Sequence, residues 1–279
     1  MSEPLFLFVS GSPPIRSKPS RWDSAPTLKP VIVQEAEDWI VVDKPAQMAA
    51  HPSKPGDEAT LWHYLCNLLA YERVNGGQVS IITRLDRETS GLTLVAKTRG
   101  CARSFCRQME AHRIQKSYLA LVWGWPTQDS WEIDAPIGRQ GEHAQSRIWL
   151  KQAIHPSGSV ASTRFEVVHR FERVTSNGEH FALVRAFPKT GRMHQIRVHL
   201  QASGHPIVGD KIYGPDEECY LEFIETSWTP SLQSRLLLPR HALHAERLLL
   251  KESGQTWRAP LPTDMAAFLG DYSPIFSRT

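Results

Sequence analysis

Asp86 stands between Arg84 and Arg87 in the stretch Ile82 to Thr98, ITRLDRETSGLTLVAKT. Two guanidinium groups beside a carboxyl favour its ionised form and lower its pKa, so Asp86 is expected to be a standing anion. Such a group suits nucleophilic or base work, not proton donation. An Arg-Leu-Asp-Arg run alone equally describes a solvated loop whose ion pairs contribute little, so its companions decide between the two. The most telling companion is Arg197 in GRMHQIRVHLQASG. Read as a helix, that segment puts Met193, Ile196 and Leu200 on a buried stripe with Arg197 at its centre, and Gly204 as the stop. A buried guanidinium keeps its proton and needs an anion beside it, and Asp86 is the expected partner.

The elements that must position these residues follow from periodicity. Behind Asp86, Thr89-Ser90-Gly91 reads as a turn. Leu92, Leu94 and Ala96 alternate with Thr93, Val95 and Lys97, which predicts a half-buried strand. Earlier, Trp39 to Asp43 reads as a buried strand ended by Lys44-Pro45, and Thr60 to Tyr71 as a helix burying Leu61, Leu65, Leu68 and Leu69. Arg99 to Ala111 is expected to be a helix that buries Ala102, Phe105, Cys106 and Met109. Further strands are expected at Lys116 to Trp123, Arg164 to Phe171, Phe181 to Phe187 and His241 to Leu250, with a proline-containing closing segment over Trp257 to Met265. No βαβ rhythm is sustained, which predicts an α+β fold with a mixed, largely antiparallel sheet and packed helices.

Composition narrows the classes. A chain of 279 residues with 41% hydrophobic content can bury a substantial core. The apolar run Leu5 to Val9 is too short for a signal peptide or a membrane span, so a soluble cytoplasmic protein with no membrane partner is expected. The cysteines Cys66, Cys101, Cys106 and Cys219 form no CxxC pair, which argues against a zinc knuckle or a disulfide framework. His194 and His199 lie about 140° apart on a helix and cannot chelate one ion. Residues 11 to 30 carry Pro13, Pro14, Pro19, Pro26 and Pro30, and residues 1 to 29 read as an arm.

Charge is unevenly spread. From Lys97 to Lys116 six basic residues face the single acid Glu110, an excess greater than the +3 of the whole chain. Arg99, Arg103 and Arg107 recur every fourth residue and stack along one line of their helix, either a solvated face or a phosphate-contacting one. From Gly214 to Thr226 the chain is acidic, and that segment is expected to lie away from a phosphate backbone.

The Asp86 stretch resembles the catalytic motif of the RluA-type pseudouridine synthases, His-Arg-Leu-Asp followed by Thr-Ser-Gly and a hydrophobic strand. The resemblance extends to DKPAQMAAHP (Asp43 to Pro52), KSYLALVWG (Lys116 to Gly124), KTGRMHQIRVHLQASGHPIVGDKIYG (Lys189 to Gly214) and LHA (Leu243 to Ala245), in order. It implies the family's catalytic fold over residues 30 to 279 and an enzyme that isomerises uridine in transfer or ribosomal RNA, without metal or cofactor and with no obligatory protein partner evident. By position, Asp86 resembles the catalytic aspartate, Tyr118 the tyrosine that contacts the base, Arg197 the arginine paired with the aspartate, Ile196 an apolar residue of the base pocket and Arg84 an arginine that fills the RNA stack. A uridine in folded RNA must be flipped out to expose C1′ and C5, which suits these roles. Two positions depart from the family pattern: Thr83 stands at the usual histidine and Gln47 at a common glycine. The family's frequent N-terminal S4 domain has no room in residues 1 to 29, so recognition is expected from the catalytic domain.

Two rival functions make distinct demands. A glycoside hydrolase using Asp86 and Glu88 would need one carboxyl of raised pKa set several ångströms from the other, which neighbouring acids among arginines do not supply. A silent RNA-binding protein on the same scaffold would be expected to lack Asp86, Tyr118 or Arg197, and all three are present.

Overall fold

The computed structural model describes residues 29 to 53 and 59 to 270; the expected arm, apart from Lys29, lies outside the described residues. The chain opens with strands β1 (Val31–Glu35) and β2 (Trp39–Lys44), then helices α1 (Leu61–Leu68) and α2 (Ala70–Val74). Strands β3 (Ser80–Ile81) and β4 (Ser90–Ala96) flank the Asp86 loop, followed by helix α3 (Arg99–Glu110) and strand β5 (Ile114–Trp123). Strands β6 (Ser130–Asp134), β7 (Ile137–Arg139) and β8 (Gln152–Ile154) precede the long hairpin of β9 (Ser162–Thr175) and β10 (Gly178–Pro188). Helices α4 (Gln195–Ala202), α5 (Glu218–Thr226) and α6 (Pro230–Leu236) lead to β11 (Leu243–Leu250), β12 (Thr256–Arg258) and α7 (Thr263–Leu269).

The principal sheet runs β1-β2-β4-β11-β5-β10-β9-β6, with β12 on β11 and β3 on β4. Its one parallel pairing among the described strands is β4 with β11, so the sheet is mixed and largely antiparallel, as periodicity predicted. That pairing brings the Asp86 stretch and the Leu243-His244-Ala245 block together: His244 lies beside Ser90, and Ala245 beside Gly91. A Cβ on Gly91 would fall 2.3 Å from the Ala245 carbonyl oxygen, and its φ of +112° belongs to glycine. Only glycine lets the strand behind Asp86 approach β11 so closely.

Several boundaries differ from expectation for physical reasons. The turn behind Asp86 is Asp86 to Thr89, closed by the Thr89 amide on the Asp86 carbonyl, and Ser90 and Gly91 already belong to β4. β4 is buried along its whole length, not on one face, because Val95 packs against Leu61 and Leu65 of α1 while Leu92 and Leu94 pack toward Phe105 of α3. Leu68 and Cys106 are exposed; Leu69 fills the core position beside α1, and Phe105 is the buried anchor of α3. Met193 precedes α4 and is 46% exposed, while every residue from Gln195 to Leu200 is buried. α4 therefore has no single apolar stripe, and it crosses the interior with its polar side chains paired.

Candidate active site

The loop that carries Asp86 is anchored on both sides of it. The Ile82 amide donates to the Leu94 carbonyl, and the Thr83 hydroxyl accepts from the Leu94 amide at 2.9 Å. Thr83 is buried, so its hydroxyl serves the β4 backbone. Leu85 enters the central core beside Tyr118, which leaves Asp86 at the boundary between core and cleft. Beneath the following turn, the fully buried Lys44 ammonium donates to the carbonyls of Pro45, Met48 and Arg87. It ties the lysine-proline block to the loop after Asp86. Burial, with nearby Arg240, pulls the Lys44 pKa down to about 7. Gln47 in that block has φ 65°, the left-handed region that glycine enters freely, which accounts physically for a glycine at this place.

Arg197 meets two carboxylates. Its Nε and Nη2 donate to Asp210 at 2.6 and 2.9 Å, and its Nη1 donates to Asp86 Oδ2 at 3.1 Å. The expected Asp86 partnership is present, but the bidentate partner is Asp210. Asp210 is wholly buried, and its Oδ1 also accepts from the Ile212 and Tyr213 amides at 3.0 Å each. Burial alone would raise the Asp210 pKa; the Arg197 guanidinium and the amides hold it far below the ordinary carboxylate range. Gly209 makes the geometry possible: its φ is +79°, and a Cβ there would lie 2.0 Å from the Arg240 carbonyl oxygen.

Asp86 differs from Asp210 in access. Its side chain is 29% exposed, and it faces a cleft of about 420 Å³. Partial burial works against its charge, and the surrounding cationic groups, Arg197 foremost among those that are always charged, hold its pKa below the usual value. The cleft is also lined by Arg84, Tyr118, Ile196 and Arg197, so all five residues singled out in the sequence converge. Tyr118 and Ile196 are nearly buried, and burial beside Asp86 raises the Tyr118 pKa, which keeps its hydroxyl protonated. Arg84 is exposed at the cleft margin.

His194 is a site residue that helical spacing misplaced. It is not on the helix: it caps α4 with φ 56°, and its Nε2 lies 3.9 Å from Asp86 Oδ2. The Gln152 amide donates to the Tyr213 hydroxyl, and that hydroxyl stands 2.8 Å from His194 Nδ1. With its oxygen already accepting, the Tyr213 hydroxyl is suited to donate to Nδ1, which places the imidazole proton on Nε2, toward Asp86. Burial and Arg197 lower the His194 pKa to about 4, so the ring is neutral near pH 7. His199, by contrast, bonds Thr163 and the Ala135 carbonyl in the core.

Glu88 also turns inward. It meets the Lys211 ammonium at 2.6 Å and the His241 amide at 3.1 Å; burial opposes its charge, but Lys211 and His241 bring its pKa down to about 2. A carboxylate so held is no general acid, which removes the pairing a glycoside hydrolase would need. Asp210 and Tyr213 lie within the GDKIYG run of the sequence, and the signal that could have found Asp210 is the guanidinium itself: five N–H donors can serve two carboxylates.

A ten-stranded mixed sheet thus carries a buried Arg-carboxylate cluster that opens on a cleft lined also by Arg84, Lys116 and Arg192. Residues 38–202 match the family model described as RNA pseudouridylate synthase. The chain is 37% identical over 243 residues to ribosomal large subunit pseudouridine synthase D of Nitrosomonas europaea, covering 85% of this chain and 64% of that protein. It is 35% identical to the protein of the same name from Pseudomonas aeruginosa, over 84% of this chain and 68% of the relative. The chain thus spans about two thirds of the length of these curated relatives. Among solved structures, human RNA pseudouridylate synthase domain containing 1 superposes with a TM-score of 0.63 at 25% identity, covering 88% of each chain. The chain belongs to the RNA pseudouridylate synthase family.

Proposed function

We propose that this protein isomerises uridine to pseudouridine in ribosomal RNA of the large subunit, with Asp86 as the catalytic carboxylate. The carrying observation is that one buried guanidinium, Arg197, is locked bidentately on Asp210 and offers its remaining edge to Asp86, the one carboxylate among the described residues that lines the cleft. The ribosomal assignment rests on the names of the relatives from Nitrosomonas and Pseudomonas, ribosomal large subunit pseudouridine synthase D.

The isomerisation breaks the bond from N1 to C1′ and forms one from C5 to C1′; C5 loses its proton and N1 takes one up, so the atoms balance. Asp86 is poised for it as an anion, oriented by Arg197 and by the Nε2 side of a neutral His194. The Tyr118 ring and Ile196 offer an apolar wall for the flipped base, with the Tyr118 hydroxyl protonated beside it. Arg84, exposed at the margin, suits the space a flipped nucleotide leaves in its stack. No domain boundary is needed for this reading: the residues concerned fall between 84 and 210, inside one sheet-centred unit.

The test is tritium release from a large-subunit ribosomal RNA transcript labelled at C5 of uridine. The wild-type protein should release tritium, and Asp86→Asn should release none while binding the transcript within a few-fold. Turnover by Asp86→Asn refutes the carboxylate's role, and release from transfer RNA but not from the ribosomal transcript refutes the substrate.

A further inference from the structure

A second hollow, of about 640 Å³, adjoins the catalytic cleft and is larger than it. Lys116 and Pro188 line both, so the two form one continuous depression. Lys116 precedes Tyr118 by two residues on β5, about 7 Å along the strand, a step of the order of one nucleotide in an extended chain. The last turn of α3 and the residues after it border the same depression: Met109 lines the cleft and His112 the hollow.

The charge of this hollow is one-sided. Its walls carry Lys116, Arg164, Lys189, Arg247 and Lys251 and no acidic residue. Glu166 pairs with Arg164 and Glu132 with Lys189, both from outside the wall. Glu246 nearby is taken by Arg185 and the Ser117 hydroxyl. Lys116, Arg247 and Lys251 have no acidic partner among the described residues, and Arg247 Nε is buried without any hydrogen-bond acceptor. The register of β11 on β5 slips between Ala245 and Arg247, the kind of irregularity that re-aims a side chain at the edge of a site. Phe187, covered at 4.2 Å by the Arg164 guanidinium, adds an aromatic face. Holding the buried Arg247 Nε without an acceptor is costly unless a ligand brings one.

We propose that this hollow binds the sugar-phosphate backbone of the RNA strand that continues from the flipped nucleotide, with Lys116, Arg247 and Lys251 on its phosphates. The identity of the RNA strand rests on the function proposed above; the anionic, extended character of the ligand rests on the hollow alone. A backbone ligand explains why the three unpaired cations of this hollow line a depression continuous with the Tyr118 cleft.

The experiment measures binding of the full chain to an unmodified large-subunit ribosomal RNA transcript across a salt series. The variant is Arg247→Gln with Lys251→Gln, which removes two of the three unpaired charges and keeps polar side chains. Each phosphate contact contributes about 0.7 to 0.9 to the slope of log affinity against log salt, so the slope should fall by about 1.5. The wild type's advantage over the variant should then shrink about eightfold between 0.05 and 0.2 M salt. An unchanged slope overturns the proposal. Because Arg247 is partly buried, a second measurement does not depend on that variant's folding: a benzophenone side chain at the exposed Gln115 should crosslink to the transcript. Absence of an RNA crosslink, or equal competition by polyglutamate of the same charge, assigns the hollow to another partner and overturns it. Tritium release by the wild type on the same transcript is read in parallel. A normal slope change without release leaves the hollow standing and the isomerase reading refuted, and release without a slope change does the reverse.

Discussion

Replacing Arg197 by methionine removes three charged hydrogen bonds from the interior, two to Asp210 and one to Asp86. Asp210 then retains only the Ile212 and Tyr213 amides, both on Oδ1, and its Oδ2 is left bare at 0% exposure. Removing one partner of a buried ion pair costs about 3–5 kcal/mol, about a fifth or more of a total stability of about 5–15 kcal/mol. The sign of the pH dependence is specific. In the wild type the Asp210 pKa is depressed in the folded state, so its contribution is present above the unfolded value near 3.9 and is lost as pH falls through the lower folded value. Without Arg197, burial raises the folded pKa above the unfolded one. The penalty is then absent in acid and grows by about 1.4 kcal/mol per pH unit as pH rises above about 4, until the folded pKa is passed. Urea unfolding of both proteins from pH 4 to pH 8 reads this directly: the gap should be smallest in acid and widest near neutrality. Arg197→Met combined with Asp210→Leu removes both charges and should recover most of the stability, because a buried pair replaced by apolar groups is often neutral. Activity should stay low in both, and what remains in the single variant should have its acidic limb at higher pH, since Asp86 has lost the cation that holds its pKa down. A stability gap under about 1 kcal/mol that does not vary with pH would refute the buried-pair reasoning.

Two further outcomes follow from the same geometry. Gly91→Ala places a Cβ against the Ala245 backbone at 2.3 Å, where neither strand can yield without breaking the parallel pairing, so it should cost more than about 2 kcal/mol in urea unfolding and lower activity with it; a neutral substitution would show that β4 and β11 need not approach so closely. Arg99, Arg103 and Arg107 are exposed and form no ion pair among the described residues; replacing all three by glutamine should flatten the salt dependence of RNA binding by roughly two units and weaken all RNAs alike, and an unchanged slope would return that helix face to simple solvation.

The sequence made the Asp86–Arg197 pairing legible because an inward guanidinium demands an anion and few candidates stood in a chemically suitable place. It did not make Asp210 legible, since supplying one carboxylate appeared to answer the demand while a guanidinium has donors for two. Met193 shows the limit of periodicity. Its spacing to Ile196 and Leu200 fits a helix, yet the chain enters α4 only at Gln195, through a left-handed His194 that offers none of the side-chain capping marks of a helix start. The same hidden boundary concealed His194 as a neighbour of Asp86. The alternation of β4 was read correctly as a strand, but its burial on both faces depends on α1 and α3 packing from opposite sides, which period-2 patterning cannot report. The largely antiparallel sheet was legible because no βαβ rhythm interrupts the run of strands; the one parallel pair among the described strands, β4 with β11, joins segments about 150 residues apart and leaves no local trace.

The proposal that Asp86 and not Asp210 is the reactive carboxylate is supported by how their bonds are divided. Asp210 accepts four hydrogen bonds, two from a guanidinium, and lies at 0% exposure, so its lone pairs are committed and no substrate can reach it. Asp86 accepts one side-chain bond, at 3.1 Å, and keeps an open approach from the cleft. The Arg197 charge is shared between two anions, and His194, neutral near pH 7, adds no second cation. One negative charge of the cluster is therefore left over, and it resides on the carboxylate that faces the substrate. In the proposed isomerisation that excess would favour positive charge developing at C1′ as the glycosidic bond loosens, and the single bond from Arg197 fixes the carboxylate's direction without saturating it. Asp210 is thus what lets Arg197 be buried and rigid, and its incomplete attention to Asp86 is what leaves that group free to react.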